Sequence, residues 1–508
     1  MATLKQRSSV DLLGAVSAAC VAAFIGILCF VASADPATRQ LLSLVVTGLG
    51  AGGLILYRQL RKATNSLITS EARAQYAATH DPLTQLPNKA LLLDRLKGLT
   101  PGAEQARRAT SLGVLCIGLD RYDEIGEVLG PDVCDALILE IAARLGSACL
   151  PGDVLARLGD DVFALIVSSQ ARATAPEAAA HLIGLLSAPY RASSGQAIVT
   201  CSIGASGAMA GATNPVELLR QAQIALSSAR KRGAAQFGAF EASMDHALKI
   251  RKAMEVELRR ALADGAQADG ALAMAYQPQV TAKGAMVGVE ALMRWTSAER
   301  GSISASTFVS LAETCGLSDA LGAFALRQAF IDGANWSGLK VAINVSGAQI
   351  RSGLLVGTLR TLLAETGANP GGFELEITEG VLLADEPETH ETLQAVRKMG
   401  FALSLDDFGT GYSSLGYLRR FPVNKIKIDR SFISQLGKRP ESSAIIQAIV
   451  DMADALDLQV LAEGVENLDQ VQRLMQMGCV AFQGYYYSEP VDARMIADLL
   501  AGRSKLAA

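Results

Sequence analysis

The stretch Phe401-Ala402-Leu403-Ser404-Leu405-Asp406-Asp407 is a short, mostly apolar run that stops at two carboxylates. Seven more runs of this kind lie in the C-terminal half. Leu272–Tyr276 ends at Gln277, Met286–Val289 at Glu290, Val341–Ile343 at Asn344, and the run around Phe373–Leu375 at Glu376. Val423–Ile426 leads to Lys427, Val460–Ala462 to Glu463, and Val480–Phe482 to Gln483. Most of them are 20 to 54 residues apart, which leaves room for a helix between. Eight strands alternating with helices over roughly 250 residues predict a TIM-like (β/α)8 barrel, with its active site at the strand C-termini. Only 13 residues separate Gln277 from Glu290, and they include Lys283-Gly284. A hairpin fits that interval, so the first strand is expected to run antiparallel to the rest.

Such a barrel gathers Glu290, Glu376, Asp406, Asp407 and Glu463 at one rim, with the amide oxygen of Asn344 alongside. Five packed carboxylates cannot all stay ionised without cations. Two divalent ions and Lys427 supply five positive charges. An all-oxygen ligand set selects Mg²⁺ or Mn²⁺ over zinc. His80, His181, His246 and His390 fall at none of the strand ends, which disfavours a histidine-rich metal site. A single carboxylate after a strand is usually a cap or a solvated loop residue; the ordered set is what points to two-metal phosphoester hydrolysis.

Length and composition frame the remainder. The 508 residues leave room for about three domains. Half are hydrophobic and 19% charged, which excludes disorder for most of the chain. With 46 basic and 50 acidic residues and a net charge of −4, no DNA- or RNA-duplex-binding surface is expected. The eight cysteines are scattered without a CxxC pair, so neither a disulfide framework nor a zinc site is indicated. Leu12–Ala34 carries no charge over 23 residues and Leu41–Tyr57 none over 17. At a bilayer core of about 30 Å, these predict two transmembrane helices, a membrane hairpin over 1–61. Gly48 and Gly52 form a GxxxG packing pair in the second. Lys5 and Arg7 before the hairpin, and Arg58, Arg61 and Lys62 after it, put both ends in the cytoplasm. Ala32-Ser33-Ala34 resembles a signal-peptide cleavage site, but the apolar core is too long for one. Residues 62–79 read as a helical connector.

Between 80 and 245, Leu112–Leu119, Val162–Val167 and Ala197–Ile203 read as strands, and Asp132–Leu145 and Pro215–Arg230 as helices, an α+β pattern. His80-Asp81-Pro82-Leu83-Thr84-Gln85-Leu86-Pro87-Asn88, Leu119-Asp120-Arg121-Tyr122, Gly159-Asp160-Asp161-Val162-Phe163 and Ser202-Ile203-Gly204 resemble the GGDEF domains, the diguanylate cyclases. The signature is degenerate: its second Gly is Asp160 and its Glu is Val162. The resemblance places the first metal-binding Asp at Gly118 and the guanine-reading Asn at Gly126. It leaves Asp161 as a metal carboxylate and Asp135 as a guanine contact. Leu150-Pro151-Gly152-Asp153 stands where the inhibitory RxxD pattern would be. It implies a cyclase-inactive domain that serves dimerisation or signal relay, with GTP not its expected ligand and residual GTP binding left open.

The residues from 246 to 508 are similar to the EAL domains. Glu290-Ala291-Leu292-Met293-Arg294-Trp295, Tyr276-Gln277-Pro278, Asn344-Val345-Ser346 and Glu376-Ile377-Thr378-Glu379 carry the likeness. So do Asp406-Asp407-Phe408-Gly409-Thr410-Gly411, Lys427-Ile428-Asp429, Glu463-Gly464-Val465-Glu466 and Gln483-Gly484-Tyr485. This resemblance implies a phosphodiesterase that opens cyclic-di-GMP to linear pGpG. It implies that Glu290, Asn344, Glu376 and Asp406 bind a first metal, and that Asp406 bridges to a second completed by Asp407. Lys427 holds the attacking water, and Glu463 is the general base or a water-orienting group. Gln277, Arg294, Glu466 and Gln483 contact the substrate, and Glu379 anchors the loop Phe408–Leu415. Asp429 reads as structural. A homodimer follows from the same likeness, while the two spans and their flanking charges place the protein in the bacterial inner (cytoplasmic) membrane with both soluble domains in the cytoplasm. The alternative is a non-catalytic cyclic-di-GMP receptor, which would require a missing ligand or a distorted loop.

Overall fold

The computed structural model describes residues 73–506, apart from 100–111, 168–174, 193–194, 209–213, 265–271, 384–385 and 410–419. Before them it describes 57–66 and the positions 25, 35, 40, 52 and 53. The two membrane-spanning helices expected over Leu12–Ala34 and Leu41–Tyr57 must be corrected. Among the described residues no helix is long and apolar enough to cross a membrane. Almost all of both stretches lies outside the described residues. An uncharged stretch of sufficient length is necessary for a span, not sufficient, and the inner-membrane placement that rested on it is corrected with it. Of the connector, 57–66 and 73–77 are helical.

The chain divides into two units, Met1–His246 and Ala247–Ala508. In the first, β1 (Leu112–Leu119), β2 (Val154–Arg157), β3 (Val162–Val167), β6 (Cys201–Ala208) and β7 (Phe237–Ala239) form a sheet ordered β2-β3-β1-β6-β7. A separate hairpin joins β4 (Tyr190–Ala192) and β5 (Gly195–Ala197). Successive residues of a strand face opposite ways. In β1, Val114 and Cys116 therefore join a core with Leu92, Leu96 and Leu218, while Leu115 and Ile117 join another with Ile138, Ile141 and Leu182. Burial on both faces explains why β1 reads as an unbroken apolar run.

The single strand expected over Ala197–Ile203 is instead the end of β5 and the start of β6. Within β6, Ser202, Gly204, Ala205, Ser206 and Gly207 are small and carry little apolar signal, with Ile203 the one large apolar side chain among them. Helix Pro215–Lys231 packs so closely on it that a Cβ at Gly204 would lie 2.0 Å from Leu226 N.

Cys116 and Cys201 in this unit, and Cys479 in the second, are buried, and burial pushes each thiol up to about 12. Cys149 and Cys315 are half-buried. A thiol reagent at pH 8 is therefore expected to label Cys149 and Cys315 in the native protein and to reach Cys116, Cys201 and Cys479 only after denaturation. Peptide mapping of the labelled protein reads this out; rapid native labelling of Cys116 or Cys479 would contradict the packing.

The second unit is built from β8 (Leu272–Thr281), β9 (Met286–Ser297), β10 (Gly301–Ile303), β11 (Lys340–Asn344), β12 (Phe373–Thr378), β13 (Ala402–Phe408), β14 (Lys425–Ile428), β15 (Gln459–Ala462) and β16 (Ala481–Phe482). They lie in the order β10-β9-β11-β12-β13-β14-β15-β16-β8, and pairing of β8 with β9 closes an eight-stranded barrel to which β10 is an appendage. β8 runs antiparallel to both β9 and β16. β9 and β11 through β16 are mutually parallel.

The strands extend past the apolar runs. Gln277 and Glu290 lie in mid-strand and face each other in register across β8 and β9. Glu376, Asp406, Asp407 and Lys427 are likewise inside their strands, while Glu463 and Gln483 directly follow theirs. The polarity runs opposite to that of a soluble sheet. Leu375, Ile377, Leu403, Leu405, Ile426 and Ile428 pack with helix residues such as Leu359, Val396, Ile446 and Leu474 in one core. Alternation then turns Glu374, Glu376, Ser404, Asp406, Lys425 and Lys427 into the barrel lumen.

Candidate active site

Lys427 is the centre of the lumen. It is 1% exposed, and its Nζ lies 2.7 Å from Glu376 Oε2, 2.6 Å from Glu463 Oε1, 3.1 Å from Asp406 Oδ1 and 3.7 Å from Glu290 Oε2. Registers explain the meeting: Asn344 pairs with Glu376, Thr378 with Asp406, and Lys427 with Leu461, so neighbouring strands end at one level. One ammonium among four carboxylates leaves a local excess of negative charge. Two unit charges 4 Å apart interact by about 4 kcal/mol at an effective dielectric near 20.

The titration of the group follows from that excess. Burial, then repulsion from Glu290, Asp406 and Glu463, pushes Glu376 well above the carboxylate range despite Lys427. Burial also pushes Glu463 up, to about 8, against the pull of Lys427. For Glu290 the burial effect is outweighed by Lys427 and by hydrogen bonds from Gln483 and Asn344, which hold it low. Burial pulls the Lys427 ammonium down, but Glu290, Glu376, Glu463 and Asp406 raise it further.

Asp406 and Asp407 are adjacent, and strict alternation would separate them. The β13–β14 register shifts between Leu405 and Phe408, a bulge that re-aims a side chain. Asp407 takes a left-handed backbone (φ 54°), and its N–H donates to Asp406 Oδ1 at 3.0 Å. Partial burial and the charges of Asp406 and Asp429 raise its carboxyl. Gly409 N donates to Glu379 Oε2 at 3.3 Å, which ties the chain after the aspartates to β12's end. Most of the loop Phe408–Leu415 lies outside the described residues. Asp429 caps helix Arg430–Ser434 through Ser431 N at 3.0 Å.

Asn344 turns its amide nitrogen, not its oxygen, to the cluster, donating to Glu290 Oε1 at 2.7 Å. Gln277 and Gln483 are both buried in the lumen. Gln483 Nε2 donates to Glu290 Oε2 at 2.5 Å and to Gln277 Oε1 at 3.0 Å, and Gln277 Nε2 donates to Ser488 O at 3.1 Å. Arg294 lies on β9, four residues past Glu290, and donates to Met293 O. Glu466 is exposed beside Glu463. Close approach holds the two loops together: a Cβ at Gly484 would lie 2.1 Å from Val465 O.

Four lumen residues were absent from the sequence expectations: Gln279, Glu374, Ser404 and Lys425. Lys425 Nζ pairs with Glu374 Oε1 at 2.7 Å, both buried. Each stands two positions from an expected site residue, Gln279 after Gln277 and the other three before theirs, so period-two polarity within an apolar strand was the available signal.

Among the described residues, no group of three or more His, Cys, Asp or Glu side chains forms a ready metal shell. The donor chemistry nevertheless fits hard cations. All donors are oxygens, their charge exceeds what Lys427 neutralises, and Glu376 Oε1 is buried without a hydrogen-bond partner.

In the first unit, Gly118 is filled by a neighbour. A Cβ there would lie 2.4 Å from the Arg230 guanidinium, whose Nη2 donates to Asp161 Oδ2 at 2.6 Å and to Leu119 O at 2.7 Å. Asp120 is engaged by Thr200, Ser202 and Ala235 N. Gly126 sits in helix Tyr122–Leu129, and Asp135 is exposed on helix Pro131–Ser147.

The family model "Diguanylate cyclase, GGDEF domain" matches residues 78–236, and "EAL domain" matches 255–490. The Pseudomonas aeruginosa bifunctional diguanylate cyclase/cyclic di-GMP phosphodiesterase MucR is 34% identical over 87% of this chain and 65% of its own. An uncharacterized protein of Mycobacterium tuberculosis is 33% identical over 86% of this chain and 70% of its own. A solved structure, the PaMucR phosphodiesterase in complex with c-di-GMP, is 36% identical over 47% of this chain and 98% of its own, with a TM-score of 0.45. The chain spans about half to two thirds of the length of the curated relatives it matches first.

Proposed function

The chain belongs to the family in which a GGDEF domain is followed by an EAL domain, and from that premise we propose that its second unit hydrolyses cyclic-di-GMP to linear pGpG. The observation that carries the reading is the convergence of Glu290, Glu376, Asp406 and Glu463 on one buried point whose charge Lys427 alone cannot balance. Glu290, Asn344, Glu376 and Asp406 would hold a first Mg²⁺ or Mn²⁺, with the Asn344 amide turned over. Asp406 and Asp407 would hold a second. Bound there, the ions supply Lewis-acid polarisation of the phosphodiester and make a water acidic enough to attack.

The chain's own groups do the rest. Lys427 Nζ orients the attacking water and offsets charge on the phosphate. Glu463, whose carboxyl burial raises to about 8, exchanges a proton with the attacking water. Glu290 joins Lys427 and Glu463 in the catalytic set. Arg294 meets phosphate oxygens, which its planar guanidinium suits. Gln277, Glu466 and Gln483 shape the pocket, and Glu379 anchors the loop after Asp407. The first unit serves dimerisation or relay without cyclase activity. In support, Arg230 fills the space at Gly118 and occupies Asp161.

Full-length protein with cyclic-di-GMP and Mg²⁺ or Mn²⁺ is expected to form linear pGpG, and GTP alone is expected to give no cyclic product. Binding without product would replace the enzyme with a receptor.

A further inference from the structure

Beyond the groups that meet at Lys427, the lumen holds a deeper polar residue with a direct line to Glu290. Gln279 is 2% exposed, on β8 two residues from Gln277 and thus on the same face of the strand. We propose that Gln279 is a positioning residue for the reaction, acting through Gln483 to aim Glu290. The inference rests on the reading of Glu290 as a metal ligand.

The geometry is a relay of amides. Gln279 Nε2 donates to Gln483 Oε1 at 3.1 Å. With that oxygen engaged, Gln483 Nε2 faces Glu290 Oε2 at 2.5 Å and Gln277 Oε1 at 3.0 Å. A side-chain amide has one accepting and one donating end. Turned over, Gln483 would set its oxygen against the Glu290 carboxylate and the Gln277 oxygen, and its NH₂ against the NH₂ of Gln279. Three partners therefore select one orientation, and Gln279 is the only one of them that engages the oxygen end.

Glu290 is thereby gripped at both oxygens, by Gln483 at Oε2 and by Asn344 Nδ2 at Oε1. The site for Gln279 is made by its cross-strand partner. Gly288 pairs with it in register, and a Cβ at Gly288 would lie 2.9 Å from Gln279 Oε1. The residue is too deep to meet substrate, so its influence must pass through Gln483. Residues that orient a ligand from behind typically change metal affinity or activity by about 10–100-fold when replaced.

The test uses full-length protein, with Mn²⁺ affinity measured by calorimetry and kcat and KM measured separately. Gln279→Met is expected to weaken Mn²⁺ about tenfold and to lower kcat, with KM for cyclic-di-GMP unchanged. Gln483→Met should lose at least as much. The double variant Gln279→Met/Gln483→Met should bind Mn²⁺ no more weakly than Gln483→Met alone, because Gln279 has nothing left to act through. A purely structural role would instead make the two losses multiply, and that result overturns the relay. So does wild-type Mn²⁺ affinity in a folded Gln279→Met protein. If Gln279→Met does not fold because the Gln483 oxygen is left buried and unpaired, the double variant, which lacks both polar ends, carries the comparison. Glu290→Ala separates the two levels. Mn²⁺ binding that survives it overturns the metal reading itself, whereas loss in Glu290→Ala with a silent Gln279→Met overturns only the relay.

Discussion

Glu376→Gln is expected to lower kcat/KM for pGpG formation by about a thousandfold or more while leaving the barrel folded. The side chain is 1% exposed, its Oε2 meets Lys427 at 2.7 Å, and its Oε1 has no hydrogen-bond partner among the described residues. The amide keeps the volume and fixes the side chain in the neutral state. Burial and the neighbouring carboxylates hold Glu376 well above the usual range, so a neutral replacement suits the metal-free fold. Thermal stability should stay level or rise. Catalysis has no such tolerance, because divalent cations bound by ionised ligands supply several kcal/mol, and each 1.36 kcal/mol is about a factor of ten in rate. Activity of the folded variant within tenfold of the parent would remove Glu376 from the ligand set.

Lys427→Met is expected to produce the largest loss of stability in the second unit. It leaves Glu290, Glu376, Asp406 and Glu463 around an apolar side chain. Removing one partner of a buried ion pair costs about 3–5 kcal/mol, or on the order of 10 °C in Tm for a unit of this size. Divalent metal should restore much of it, since a ligand at a hundred times its Kd stabilises by about 2.7 kcal/mol. The Mn²⁺-induced rise in Tm should therefore be larger in the variant than in the parent. A variant as stable as the parent without metal would mean that the four carboxylates do not share one locus.

The parent's pH dependence has the same origin. Glu463 titrates near 8 in the fold against an ordinary value of 4.5, so the folded protein keeps a proton that the unfolded chain releases. Its stabilising contribution is complete below about pH 4.5 and is lost as pH rises toward about 8. Metal-free protein should show that decline in thermal melts, and saturating Mn²⁺ should flatten it.

How legible each part was depended on how local its signal is. The barrel was visible because each strand carries its own apolar run, and Lys283-Gly284 marked the hairpin that turns β8 antiparallel. Strand ends were less visible. Glu376, Asp406 and Lys427 continue their strands, because a polar residue turned into the lumen pairs its backbone as well as an apolar one does. β6 was misplaced because close packing against helix Pro215–Lys231 demands small residues that carry no hydrophobic pattern. The membrane hairpin was read from absence of charge alone, and no described helix supports it.

The amino-acid order by itself determined which residue types are available: acids and one lysine at the tips of apolar runs, spaced for a barrel, with oxygen donors and no histidine among them. Tertiary structure alone decided which of them meet. Register brought four carboxylates to one ammonium, a register shift broke the strand alternation at Asp406-Asp407, and the lumen enclosed Gln279, Glu374 and Lys425. The physical reason is that periodicity is a property of neighbours along the chain. Charge balance and amide orientation are properties of neighbours in space, and those arise only when the barrel closes.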